Sequence, residues 1–506
     1  MLKISKAISA NQAKKYYKIE LHEDKDISLS NSSANVSLDS ETLERTSGKW
    51  HGKLAEEMGL RGAVTTEQFE RLCDGKHPFT EEELIRHAPV KHYTNRFGKE
   101  ITTMEHRALW DGTFSAPKSV SLAAVAGGDD RIREAHRASV RSALDEVEKY
   151  IEARMGGEKL PERTGKMVAA VFEHDAARPD KTFKFAAPQL HTHAVVFNAT
   201  TTEAGLTKPV QPLEIFKTQK YATAVYRIEL ADRLRKLGYE IEIDPKTKAP
   251  EIKGFDSEYL KECSRRSQEI QKETEAIKKQ FESAGAEIKS DAGIRQIAAW
   301  QQRESKGFDP EEMKTRTLEL EVKYDFQAQK IYGQALQNSG YQYDVEMERQ
   351  KASEAIDFAR ATVFPSAGFD ASQTSLSASE SAGYTKLNER RFLTEALEKG
   401  IGITNFAAVQ QEYVTRSAAG EFANLIKNKN ERSSSAMPKS EAAKSESYES
   451  GKSASAVQSS ELASSEEAKS VKEVEKISMD DLENAVRGKI AAEKEVAQSL
   501  ELFIGI

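Results

Sequence analysis

The run from Pro188 to Asn198, PQLHTHAVVFN, constrains this chain more than any other stretch. Leu190, Thr192, Ala194 and Val196 alternate with His191, His193, Val195 and Phe197, the period of a β-strand. Side chains two apart on a strand share a face, so His191 and His193 project together. Two imidazoles on a stiff strand make half of a metal site. By itself a His-x-His pair is more often two surface or hydrogen-bonded histidines. The remaining ligands, a nucleophile and a substrate surface have to be found elsewhere.

A third histidine closes the strand-like run Lys166–His174, KMVAAVFEH, and a loop of roughly fifteen residues leads back to His191. If the two strands pair antiparallel, His174 meets the pair. Three converging histidines without a fourth strong ligand describe an open site with room for substrate oxygens. Upstream, WDGTFSAPKSVS reads as a short strand, Asp111 to Ser115, broken at Pro117, which opens a helix. The N–H groups at that helix start, with Lys118 beside them, suit a phosphate. Near the N-terminus, Leu2 to Ile8 reads as a strand. Ser9 and Gln12 form a capping box for a helix through NQAKKYYKIEL. Adjacent helical residues diverge by about 100°, so only one of Tyr16 and Tyr17 can face a given site. On a short helix, such a pair otherwise means core packing.

Charge narrows the choice of partner. The formal net charge is -7, but Glu441–Ile506 carries 14 acidic and 8 basic residues, which leaves the first 440 residues at -1. Any nucleic-acid surface must therefore be local. Residues 78–106 interleave Lys91, Arg96 and Lys99 with His92, Tyr93 and Phe97, as single-strand grooves do, although a solvated loop explains them equally well. Cys73 and Cys263 are far apart, which fits a reducing cytoplasm and excludes a disulfide framework or a cysteine-based zinc module. No apolar run approaches the roughly 18 residues of a membrane span, and MLKISKAISA lacks the core of a signal peptide. A soluble, cytoplasmic protein without membrane insertion is expected.

Along the rest of the chain, residues 24–47 read as a polar loop, Trp50 to Gly62 as a helical turn, and Thr66 as the cap of a helix. Residues 213–238 form an amphipathic helix or pair of helices, followed by a hairpin and a long charged helix from Ser257 to about Ser283. Residues 430–470 are Ser/Ala/Glu/Lys low complexity, and an amphipathic helix begins at Ser478.

Taken together, Tyr16-Tyr17, WHGKLAEEMGL, TFSAPKSVS, the strand ending in His174, PQLHTHA, and the later AVYRIELADRLRKLGY and SRRSQEI resemble the relaxase domain of the TrwC/TraI (MobF) family. The resemblance covers about residues 1–300, and TFSAPKSVS followed by PQLHTHA is highly specific. It implies an α+β, HUH-type fold: an antiparallel-sheet palm with flanking helices and a helical region that closes over DNA. It implies a metal-dependent transesterase that nicks and rejoins single-stranded transfer-origin DNA through a 5′-phosphotyrosine. Tyr16 would be the nucleophile, with Tyr17 beside it. His174, His191 and His193 would hold a divalent metal, and Asp111 would act as base or orient one histidine. Lys118, Arg96 and Lys99 are the candidate DNA contacts. A phenol is ionised to only roughly one part in a thousand at neutral pH, a handicap near 4 kcal/mol that a metal and a carboxylate would offset. Imidazoles alone suggest zinc or nickel, whereas the family usually works with magnesium or manganese.

Three departures stand out. No second tyrosine pair follows Tyr17, Ala187 stands where relatives often have an acid, and the loop from His174 to His191 is longer. No G-x-x-x-x-G-K-[ST] occurs, so no helicase or ATPase activity is expected. The expected organisation is a relaxase domain (1–300), a helical extension (301–338), a linker (339–384), a helical segment resembling the relaxase–helicase connector (385–428), a disordered linker (429–470) and a C-terminal amphipathic helix (471–506). Relaxosome accessory proteins and a type IV secretion coupling protein are implied partners, with translocation alongside DNA. Rolling-circle initiators, transposases of the same chemistry and a non-catalytic DNA-binding protein are the alternatives.

Overall fold

The computed structural model describes residues 1–17, 48–86, 92–94, 100–102, 106–157, 159–283, 290–303, 309–340, 344–364 and 389–422. An antiparallel sheet holds the six strands β1 (Leu2–Ile4), β2 (Ile8–Ser9), β3 (Lys49–His51), β4 (Arg107–Ser115), β5 (Ala169–Ala176) and β6 (Pro188–Phe197). Their order is β1-β4-β6-β5-β3, with β2 also paired to β4. The strand of the His-x-His pair is therefore central, flanked by the strand of Asp111 and the strand of His174.

Period-two alternation sorts the sheet into two cores. Trp110, Phe114, Leu190, Ala194 and Val196 pack on one face; Leu109, Ala170, Phe172, Val195 and Phe197 pack on the other. The second face is covered by α1 (residues 10–17) and α2 (Thr66–Cys73) through Ala13, Tyr17, Phe69 and Leu72. The first face is covered by α3 (Lys118–Val125), α4 (Asp130–Glu148) and α5 (Leu213–Lys236). Each fully buried side chain of this size contributes about 1.5–3 kcal/mol relative to exposure.

A single helix, α5 is buried on nearly every side, from Tyr221 through Leu234. Beyond it, α6 (Gln327–Gln337) lies on α3, while α7 (Val345–Val363), α8 (Glu389–Gly400) and α9 (Phe406–Ala418) pack together, with α8 and α9 against the outer side of α5. Residues 266–303 belong to a second unit, whose helices close around Ile277, Ile294, Ile297 and Ala298.

Several expectations are revised. Leu2 to Ile8 is two short strands, because Ser5 interrupts the ladder by hydrogen bonding both backbone groups of Asp111. The helical turn expected over Trp50 to Gly62 is confined to Lys53–Glu57, while Trp50 itself lies in a strand, since Lys49–His51 pairs with Val171–Ala169 at the sheet edge. The cap of α2 is Thr65, whose hydroxyl accepts from Gln68 N at 3.3 Å. The helix expected from Ser257 is broken after Glu262 and resumes at Arg265. The linker expected over 339–384 does not hold for Val345–Val363, a 19-residue helix whose Ala352, Ile356 and Ala359 are fully buried. Residues 24–47, Arg96, Lys99, and the segments 429–470 and 471–506 lie outside the described residues.

Candidate active site

Register brings the three histidines together. Strands β5 and β6 are antiparallel with His191 opposite His174 and His193 opposite Phe172, so His174, His191 and His193 share one face. Their ring centroids stand 5.1, 5.2 and 5.3 Å apart, and one nitrogen from each lies within 4.8 Å of the others. His174 and His191 are half-buried, whereas His193 is buried.

Second partners orient two of these rings. Both oxygens of Asp111 lie 2.9 Å from His193 Nδ1. A carboxylate only accepts here, so Nδ1 donates, and in the neutral ring the lone pair falls on Nε2. Asp111 reaches that ring diagonally: on β4 it is Thr113 that stands opposite His193, with Asp111 two residues further along the same face. His191 Nδ1 donates to Gln189 O at 2.9 Å, which likewise assigns the lone pair to Nε2. The donor set therefore fits a divalent ion.

The tyrosine helix covers the same face. Tyr17 is fully buried, stacked on Phe172 at 5.5 Å and against Phe69 at 5.3 Å. Phe172 lies two residues from His174 and directly across from His193. Tyr16 is half-buried and meets Tyr17 edge-on at 4.9 Å. The helical step thus commits the second phenol to the core and leaves the first half-buried at its edge.

Lys118 has a different neighbourhood from the expected one. Its Nζ donates to Pro188 O at 2.7 Å, and burial pulls its ammonium down to about 8. The surrounding motif is stitched to the start of β6: Ala116 N to Leu190 O at 3.0 Å, Gln189 Nε2 to Ala116 O at 2.8 Å, and Leu190 N to Ser121 Oγ at 3.1 Å. SAPKSVS therefore anchors the strand that carries the histidines.

Sequence reasoning missed what stands behind that strand. On α4, His136 bridges Thr192 Oγ1 and Tyr226 Oη, both at 2.8 Å. Arg137 grips Glu173 with two bonds of 2.9 and 3.0 Å, and Arg133 pairs with Asp175. Glu173 and Asp175 flank His174, and Thr192 lies between His191 and His193. One helix face thus holds all three histidine positions from behind. The signal was present in DRIREAHRASV, whose Arg133, His136 and Arg137 fall on one helical face.

A palm of antiparallel strands with three histidines on its central pair, and a tyrosine helix across the same face, defines the relaxase class of fold. The chain belongs to the TrwC relaxase family, whose sequence profile matches residues 10–319. It is 32% identical over 368 residues to the multifunctional conjugation protein TraI of Escherichia coli K12, covering 70% of this chain and 18% of TraI. A second Escherichia coli TraI is 34% identical over 280 residues, 52% of this chain and 14% of the relative. The chain thus spans less than a fifth of the length of these relatives. Among solved structures, a copper-bound conjugative relaxase TrwC in complex with oriT DNA aligns at 26% identity and a TM-score of 0.50, covering 64% of this chain and 99% of that one.

Proposed function

We propose that this chain nicks and rejoins single-stranded DNA at a plasmid transfer origin in conjugation. The observation that carries the reading is the convergence of His174, His191 and His193, with Asp111 bonded to His193, on the sheet face against which the helix of Tyr16 and Tyr17 packs. In the first transfer the Tyr16 oxygen bonds to phosphorus and the bond to the 3′ oxygen breaks. The phenol proton leaves, and the departing oxygen ends as a 3′-hydroxyl. One phosphoester replaces another, so the reverse step reseals the strand without ATP. The family membership and the TrwC complex with oriT DNA support this reading.

Each residue has a distinct task. Asp111 orients His193 and keeps its Nδ1 protonated; Tyr17 anchors the helix that presents Tyr16. His174, His191 and His193 would hold a divalent ion, which when bound supplies Lewis-acid polarisation of a phosphate oxygen. Magnesium or manganese is the proposed ion, with zinc or nickel as the alternatives that three imidazoles favour. Arg96 and Lys99 are proposed DNA contacts. Lys118, bonded to Pro188 O, is proposed to hold β6 rather than a phosphate. Relaxosome accessory proteins and a type IV secretion coupling protein complete the proposed partners.

The test is covalent capture. The protein is incubated with labelled single-stranded origin DNA and manganese, and the adduct is resolved on a denaturing gel. Wild type forms the adduct, Tyr16→Phe forms none, and Tyr17→Phe keeps most of it. Equal loss in both variants, or an adduct with Tyr16→Phe, would overturn the assignment.

A further inference from the structure

We propose that Arg137, with Arg133 and His136 beside it on α4, is a positioning residue for the metal site: the helix grips β5 and β6 together and sets how His174 stands to His191 and His193. The proposal rests on the function above and adds to it residues on the opposite face of the sheet from the histidines.

Neighbouring helix positions take hold of facing strand positions. Thr192 of β6 stands directly opposite Glu173 of β5. His136 joins Thr192 Oγ1 at 2.8 Å, and the next residue, Arg137, donates to both oxygens of Glu173 at 2.9 and 3.0 Å. One turn earlier, Arg133 pairs with Asp175. Each gripped residue is next in sequence to a histidine: Glu173 and Asp175 flank His174, and Thr192 lies between His191 and His193. Because side chains alternate faces along a strand, fixing residues on one side fixes the backbone that aims the imidazoles on the other.

The ladder is irregular where that grip is needed. Pro188 pairs with Ala176 and His191 with His174, so Gln189 and Leu190 of β6 stand against the single residue Asp175. Such a bulge bends its strand and re-aims side chains. At the bulge, β6 is tied to the segment before and within α3: Gln189 Nε2 donates to Ala116 O at 2.8 Å and Leu190 N to Ser121 Oγ at 3.1 Å. On β5 the corresponding ties are the ion pairs of Glu173 and Asp175 with α4.

The Arg137 pair has the geometry of a positioning contact. Two parallel N–H···O bonds fix the angle between guanidinium and carboxylate as well as their distance. The Glu173 side chain is 12% exposed and that of Arg137 30%, so water screens the pair only in part. Arg141, one turn further along α4, is the contrast. Its partner Glu134 lies on the same helix, 2.7 Å away, and both side chains are more than half exposed.

Manganese titration calorimetry on the full chain, with the visible spectrum of the cobalt-saturated protein, tests the clamp well below the melting temperature. Arg137→Gln is expected to weaken manganese binding about tenfold and to change the cobalt spectrum, which reports ligand geometry. Arg137→Lys keeps the charge without the fork and should fall between Arg137→Gln and wild type. Arg141→Gln should match wild type in both measurements. Glu173→Gln breaks the same pair from the strand side and should repeat the changes; it decides the matter if Arg137→Gln does not fold. An unchanged cobalt spectrum overturns the clamp whatever the affinity, because the ligands then keep their places. Wild-type manganese affinity, or an equal change in Arg141→Gln, overturns it too. Those outcomes leave Tyr16 capture untouched. A wild-type chain that binds neither ion removes the metal reading and the clamp together.

Discussion

At the residue scale, the arrangement turns on which nitrogen of each imidazole is occupied. Asp111 takes His193 Nδ1 with both oxygens, so replacing the carboxylate with an amide removes the charge that would make His193 a better metal ligand. Asp111→Asn is expected to lower manganese affinity about 10- to 100-fold in calorimetric titration, with little change in melting temperature. An unchanged affinity would leave Asp111 without an orienting role. The histidines were legible because strand alternation announces which side chains share a face. The reach of Asp111 to His193 was not, because a diagonal contact exists only once two strands have a register. Tyr16 and Tyr17 were legible as a pair whose members must diverge. Which of them belongs to the core was settled by Phe69 and Phe172, residues far away in sequence.

At the element scale, α4 and β6 act as a strut and the part it supports. His136 is fully buried between Tyr226 and Thr192, and burial pulls its imidazole from the ordinary 6.5 down to about 3. The native state therefore holds His136 neutral, while the unfolded chain takes up a proton between those two values. Stability from this group is complete above about pH 6.5 and falls as the pH drops toward 3, by on the order of 1 kcal/mol per pH unit at most. Urea unfolding between about pH 6.5 and 5, before most carboxylates titrate, should show that slope in wild type and a shallower one in His136→Gln. Equal slopes would mean that the ring is hydrated or already charged. His136→Ala also strands two buried hydroxyls, and a loss of about 1–3 kcal/mol is expected at neutral pH from the same measurement. Thr192 was read as a spacer between two histidines; its hydroxyl is the point at which helix and strand are fastened.

At the scale of the whole molecule, the sheet and its helices do not end with the match to the family profile at residue 319. Phe392, Leu397 and Tyr413 from α8 and α9 join the same apolar core as Tyr226 and Ile228 of α5. That shared core is why α5 is buried on nearly every side from Tyr221 through Leu234 and shows no single apolar stripe there. Docking of the 310–340 region depends on one glycine. Gly238, at φ 94, ends α5 where a Cβ would lie 2.1 Å from Ala335 O. Gly238→Ala should cost at least about 2 kcal/mol of stability in thermal or chemical unfolding, and a neutral result would show that this docking is dispensable. The sequence by itself determined the strands of Asp111, His174 and the His-x-His pair, the face each histidine takes, the divergence of the two tyrosines and the family, because these depend on local period and on short ordered motifs. Only the tertiary structure decided that Asp111 meets His193, that Lys118 fastens β6, that His136 braces it, and that residues 345–363 are a core helix. Each of those is a contact between segments far apart in the chain, and burial against a distant surface leaves no periodic trace in the segment that is buried.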